Sequence, residues 1–178
     1  MMTQIRPKSG DYATFYEKYV ALVPSGDLLA TLDLQVSKWK SMLGTLSTPQ
    51  AEFRYEPGKW SIKGVLGHVT DTERIFAYRI LRIARGDQTP LSGFEQEDYV
   101  KEGNYPARTL ADLLDEFVAV RASTLALLRS LSSEAWTRRG NANRNEVTVG
   151  ALGFITAGHA EHHRLIIEQR YLPALPRS

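Results

Sequence analysis

Three of the four histidines are the residues of this chain best suited to chemistry. His159 and His163 lie four residues apart in the segment GHAEHH, and His68 stands alone far upstream. On an α-helix, residues i and i+4 share a face with Cβ atoms about 5–6 Å apart, so two such imidazoles can bind one metal ion. A third imidazole from a packed neighbouring helix would complete a three-nitrogen site. Such a site keeps open positions, which distinguish a catalytic metal from a structural one.

The helical position of each histidine predicts that the pair points inward. With His159 at zero and a rotation of 100° per residue, His163 falls at about 40°, among apolar residues on the same face. His159 and His163 are therefore predicted to project into the protein. His162 falls at about −60°, at the edge of this face, and Glu161 is predicted to point towards solvent.

A second interpretation of the inward histidines is that they are hydrogen-bonded core residues, because each buried ring needs polar partners. Spacing alone leaves this interpretation and the metal site equally open. Ala160 stands directly after His159, where the zinc metalloprotease helix has glutamate, so we exclude a protease. Gly64 and Gly67 bracket His68. Each glycine costs a helix about 1 kcal/mol relative to alanine, and we interpret the two as permitting close helix approach there.

Four long segments with helical periodicity must position these side chains. The chain lacks a convincing alternating strand pattern, and the polar residues 137–147 are predicted to form a loop. The prediction is an all-α protein, a four-helix bundle. Turn and capping signals place the four helices at about residues 27–46, 61–85, 109–131 and 148–171.

The predicted organisation is an N-terminal arm over residues 1–23, followed by a bundle domain over residues 24–178. Aromatic residues at helical spacing in the arm predict a short helix that docks on the main body. Segment 86–108 is predicted to be an ordered loop that covers something, because it contains several aromatic residues and loops of this length are often functional. Ser61 and Thr109 are the predicted N-caps of the second and third helices.

Composition restricts the class of protein. A length of 178 residues predicts one domain. The absence of cysteine excludes disulfides, thiolate metal sites and a cysteine nucleophile within the chain. Together with a first segment that lacks the apolar core of a signal peptide, it leads us to expect a cytoplasmic protein. The sequence contains no run of about 18 apolar residues, so we expect no membrane span. The net charge of +2, with both signs interspersed, gives no reason to expect a nucleic-acid partner.

Charged and aromatic residues near the histidines have two interpretations each. Arg79 lies on roughly the same helical face as His68 and either binds a substrate carboxylate or forms a surface salt bridge, which is the commoner role. Asp71 and Glu73 either orient a ligand or act as a base, or they are simple surface charges. The aromatic residues that either wall a pocket or pack in the core are Trp60, Phe94 and Tyr99.

Four segments of the chain match a known pattern: YEPGKWSIK at 55–63 followed by His68, DTERIFAYR at 71–79, PLSGF at 90–94 and GHAEHH at 158–163. On these segments the chain resembles the DinB/YfiT-like superfamily of metalloenzymes, from Pro24 to Tyr171. The first segment is similar to the family's entry into its second helix, and the last is similar to the histidine segment of its fourth helix.

The resemblance implies a bundle with an up-down-down-up helix order, in which segment 86–108 is the crossover connection. It also implies a divalent metal, zinc or nickel, on His68, His159 and His163, with His162 as an extra histidine beside the motif.

The resemblance further implies chemistry on small molecules. Members of this kind include S-transferases and isomerases that use low-molecular-weight thiols, and others are regarded as metal-dependent hydrolases. We therefore expect a thiol-dependent S-transferase acting on small electrophiles, with a hydrolase as the second choice. A non-catalytic metal-binding module is the third, and a fourth protein ligand would favour it. Apolar residues outside a single helical stripe and the tyrosine-rich arm lead us to expect a homodimer.

Overall fold

The structure, a computed structural model, describes residues 6–175, so the first five residues of the predicted arm lie outside the described part. Within 6–175, no helix combines the length and apolar character that crossing a membrane requires. The described helices are α1 (Glu17–Val20), α2 (Leu28–Leu43), α3 (Thr48–Ala51), α4 (Ile62–Ala84), α5 (Gln96–Glu102), α6 (Leu110–Arg129), α7 (Ser133–Thr137) and α8 (Val149–Ile166).

The predicted four-helix bundle is confirmed, with α2, α4, α6 and α8 as its members. Both predicted N-caps are present: the Ser61 hydroxyl accepts a hydrogen bond from the backbone N–H of Gly64, and the Thr109 hydroxyl accepts one from Asp112. The last predicted helix is α-helical only to Ile166. A π-helical turn, Ile167–Tyr171, continues it.

Helix α2 packs on α6 and α8, and α4 packs on the same two helices, so α2 and α4 are diagonal. Helices α2 and α8 run in the same direction, because Leu28 lies against Gly153 and Gln35 bonds to Ala157 in the same chain order. Helix α4 runs in the opposite direction to α8: the Tyr171 hydroxyl donates to the Trp60 carbonyl just before α4, and His68, in the second turn of α4, lies against His159, which comes before Tyr171 in the chain.

The connection from α4 to α6 returns the chain to the start of α4, so these two helices run parallel and the order is up-down-down-up. The prediction of a loop over 86–108 was incomplete, since the segment contains α5 and a 3-10 turn, Tyr105–Ala107. The Tyr105 ring lies over Gly67, where a Cβ atom would come within 2.2 Å of it. Gly67 therefore admits a ring of the crossover segment rather than a neighbouring helix.

The prediction of a loop over 137–147 was wrong. Strands β1 (Arg139–Ala142) and β2 (Asn145–Thr148) form an antiparallel hairpin. Its two turn residues, Asn143 and Arg144, have φ of 51° and 63°. Positive φ at both central residues is the type I′ geometry that fits the twist of a hairpin. The backbone of Leu91 bonds to Asn141 and Asn143, so the hairpin holds the crossover segment.

The predicted docking of the arm is confirmed for its described residues. Helix α1 packs on α8 so closely that a Cβ atom on Gly158 would lie 2.0 Å from the Tyr19 carbonyl oxygen. Val20 and Val23 are buried in the core. The division into an arm and a domain at residue 23 stays a prediction.

A charged network lies at the centre of the bundle. The guanidinium of Arg121 is fully buried and makes two hydrogen bonds of 2.7 Å to the carboxylate of Glu73, which is 2% exposed. Arg121 also donates to the Leu32 carbonyl and the Gln35 side chain, and Gln35 donates to the Ala157 carbonyl. The network joins α2, α4, α6 and α8. Both sequence interpretations of Glu73 were wrong, because it is a buried structural partner.

Replacing Glu73 with glutamine should lower the free energy of unfolding by about 3–5 kcal/mol, because it leaves the buried charge of Arg121 without a counterion. Urea denaturation followed by circular dichroism measures the change. The control is Arg74→Gln, which breaks a half-exposed pair with Glu116 and should cost about 1 kcal/mol or less. Equal losses in the two variants would contradict this description of the core.

Candidate metal centre

The three histidines predicted to act together meet between α4 and α8. His68 and His159 are buried and His163 is partly exposed. One ring nitrogen of each histidine lies within 4.8 Å of one ring nitrogen of the other two, and the Nε2 atoms of His68 and His159 are 3.1 Å apart. In the described part of the chain, this is the one group of three or more potential side-chain ligands. His162 lies outside it, with its ring against that of Tyr19.

The cluster follows from helix geometry. His159 and His163 are one turn apart on α8, and the antiparallel packing of α4 brings His68 opposite both. The ring of Trp60, just before α4, packs on the His68 ring with 4.7 Å between centroids. The hydroxyl of Thr72, one turn after His68, lies 3.5 Å from its Nδ1 atom. A polar neighbour at this nitrogen is the kind of contact that orients a ligand ring.

Burial keeps the three imidazoles uncharged. It lowers the pKa of His68 from 6.5 to about 4, against a small opposing effect of the Asp71 carboxylate. Burial, reinforced by the neighbouring histidines, lowers the pKa of His159 and of His163 well below 6.5. Metal ions bind the neutral form of imidazole. At neutral pH the cluster is therefore in its metal-binding state.

The spacing of the His68 and His159 nitrogens fits a divalent ion. Zinc–nitrogen bonds of about 2.0–2.1 Å place tetrahedral ligands roughly 3.3 Å apart. The Nε2 atoms of His68 and His159 are close to that separation. Without an ion between them, these two neutral imidazoles can share at most one hydrogen bond. No carboxylate among residues 6–175 belongs to the group, so the donor set is three neutral nitrogens.

Two cavities reach the cluster from different sides. The first, of about 290 Å³, is lined by His68 and His159. The second, of about 340 Å³, is lined by His163. Tyr19 and Lys18 of the arm line both cavities. Sequence reasoning missed these two residues, since the aromatic spacing in the arm predicted docking but not its position.

The other candidate residues from the sequence differ in whether they line one of these two cavities. Phe94 lines the first cavity and Trp60 the second, whereas Tyr99 lines neither of these cavities and is exposed against Phe94. Asp71 accepts a hydrogen bond from the Tyr105 hydroxyl and lines neither of the two cavities. Glu161 does not face open solvent as predicted, because Arg164 binds its largely buried carboxylate.

Arg79 does not form the surface salt bridge that was the commoner of its two predicted roles. The side chain is 3% exposed and donates to the Ser92 carbonyl at 2.8 Å, so it is not part of a surface salt bridge. It lines the first cavity together with His68.

Comparison with solved structures identifies similar folds. YfiT from Bacillus subtilis, described as a probable metal-dependent hydrolase with an unusual four-helix bundle topology, is 16% identical with a TM-score of 0.73, covering 93% of this chain and 90% of that one. A mycothiol-dependent maleylpyruvate isomerase is 13% identical with a TM-score of 0.66. That match covers 82% of this chain but only 61% of the isomerase. At these identities the likeness shows the fold alone.

Comparison of the sequence gives the family. No match was found among curated proteins. The family model of the DinB superfamily matches residues 31–167, which include all three clustered histidines. The chain belongs to the DinB superfamily.

Proposed function

We propose that this chain is a metal-dependent enzyme that holds a divalent ion, zinc or nickel, on His68, His159 and His163 and acts on small molecules. The observation that carries the proposal is the convergence of three neutral imidazoles, which line two cavities. A divalent ion held there would supply a nucleophile at neutral pH by lowering the pKa of a thiol or water that contacts it.

Our first choice of reaction is transfer of a low-molecular-weight thiol to a small electrophile. Two cavities at one cluster suit two substrates, and the absence of cysteine means that the thiol must come from a cosubstrate. In this transfer a sulfur–carbon bond forms, the bond from that carbon to the leaving group breaks with its electron pair, and the thiol proton passes to solvent. Tyr19 and Lys18, which line both cavities, would separate the two substrates.

Hydrolysis is the second choice, supported by the fold shared with YfiT, which is described as a probable metal-dependent hydrolase. Glu95 is the one carboxylate that lines the first cavity and would act as the general base. A non-catalytic module would need a fourth protein ligand, and His162, the nearest histidine outside the group, packs on Tyr19 instead.

Purified chain, stripped with EDTA and dialysed against zinc, should bind about one equivalent, because three imidazoles form one site. Elemental analysis after desalting measures the content. His163→Ala should lose the metal, whereas His162→Ala, a change of the adjacent histidine, should keep it. Retention in His163→Ala with loss in His162→Ala would contradict the ligand assignment.

The metal-loaded chain should conjugate monochlorobimane to at least one member of a panel of low-molecular-weight thiols. The rate, followed by fluorescence, should fall to the metal-free background in His159→Ala, because the variant loses one of three ligands. Ester and amide substrates run in parallel test hydrolysis. Hydrolysis without conjugation, with the same dependence on metal and His159, would replace our first choice with the second.

We also propose that the chain forms a homodimer. Tyr78 and Leu81 leave large apolar side chains exposed on α4, and a partner would cover them. Light scattering at micromolar concentration should then give twice the chain mass of 20.0 kDa, and Tyr78→Ser combined with Leu81→Ser should reduce that mass. A mass of one chain for the unaltered protein would reject the dimer.

A further inference from the structure

The first cavity runs along one face of α4 from the histidine cluster to Arg79. Arg79 lies eleven positions after His68 on α4. At 100° and 1.5 Å per residue, the two side chains leave the helix within about 20° of the same direction, and their Cα atoms are roughly 16 Å apart. Thr72 and Phe76 lie between them on that face, and all four line the cavity. The cavity is therefore elongated, with the cluster at one end and a guanidinium at the other.

Among residues 6–175, the guanidinium of Arg79 has no counterion. One of its nitrogens donates to the Ser92 carbonyl, and no carboxylate in the described part of the chain forms an ion pair with it. The fully buried Arg121 is different, since Glu73 binds it through both carboxylate oxygens. A guanidinium has five N–H donors, so Arg79 keeps donors for a further partner. A buried charge without a partner is costly unless a ligand supplies one.

The walls between the two ends are aromatic. The Phe76 ring lies between the His159 ring and the Arg79 guanidinium, with 5.9 Å to each. Phe94 and Tyr16 also line the cavity, and the Tyr16 hydroxyl interacts with Arg79. Glu95 is the one carboxylate among the lining residues; it is exposed and does not pair with Arg79. With Lys18 also lining the cavity, its cations outnumber its anions.

We propose that the first cavity recognises the substrate by an anionic carboxylate, which Arg79 binds, and by an aromatic or apolar body, which packs on Phe76 and Phe94. The remaining end of the substrate then lies at His68 and His159. A carboxylate matches the planar donors of arginine in a two-point hydrogen bond. The assignment of a substrate class rests on the proposed function, whereas binding of an anion at Arg79 does not require the metal.

Binding of two matched ligands tests the site. Calorimetry would measure 4-phenylbutyrate and its uncharged amide, 4-phenylbutanamide, on metal-free and zinc-loaded chain. The carboxylate should bind about tenfold or more tightly than the amide in both states, because charge-assisted bonds to arginine are about twice as strong as neutral ones. Arg79→Gln should abolish this preference while keeping amide binding. Arg82→Gln, the same change one turn further along α4, should leave it intact, since Arg82 pairs with Asp87 outside this cavity.

Equal binding of the two ligands to the unaltered chain, or an unchanged preference in Arg79→Gln, would overturn the proposal and leave Arg79 only as the anchor of Ser92. A preference seen only with zinc would also overturn it, because the carboxylate would then be on the metal. If Arg79→Gln does not give the circular dichroism spectrum of the unaltered chain, Arg79→Lys replaces it and should weaken the preference. If the unaltered zinc-loaded chain prefers the carboxylate but has no enzyme activity, the proposed function is rejected and the anion site is not.

Discussion

The buried positive charge of Arg121 is the constraint around which the bundle is arranged. A guanidinium in a low-dielectric interior is tolerated only when its donors are bonded and its charge is matched, and Glu73, Leu32 and Gln35 supply those partners. Gln35 in turn donates a hydrogen bond to the Ala157 carbonyl, two residues before His159. The helices that carry the histidines are thus fixed to α2 and α6 next to the cluster, and a one-turn slip of α8 would break the network.

Burial lowers the pKa of both kinds of base along α4, but their charges at neutral pH differ. The imidazole of His68 loses its proton, which leaves a nitrogen ligand at neutral pH. The guanidinium of Arg79 keeps its charge, because even a lowered arginine pKa stays far above neutrality. A neutral histidine end and a cationic end therefore share one cavity, with aromatic side chains along it. This arrangement suits a substrate that is reactive at one end and anionic at the other.

The sequence predicted what depends on a single helix. Rotation of 100° per residue placed His159 and His163 on one inward face, and capping residues located the helix starts. It could not predict pairings between distant segments: Glu73 was ambiguous because its partner, Arg121, is on another helix. The hairpin was missed since its turn is Asn143–Arg144 rather than the familiar Asn-Gly, although asparagine tolerates positive φ and gave a weak signal.

The most direct test of a three-histidine metal centre is a crystal structure of the chain grown with zinc, with anomalous data collected at the zinc edge. We expect one strong peak between α4 and α8, within about 2.0–2.1 Å of a ring nitrogen of each of His68, His159 and His163, with no fourth protein ligand. A peak that uses His162 in place of His163, a fourth protein ligand, or no peak at the cluster would contradict it.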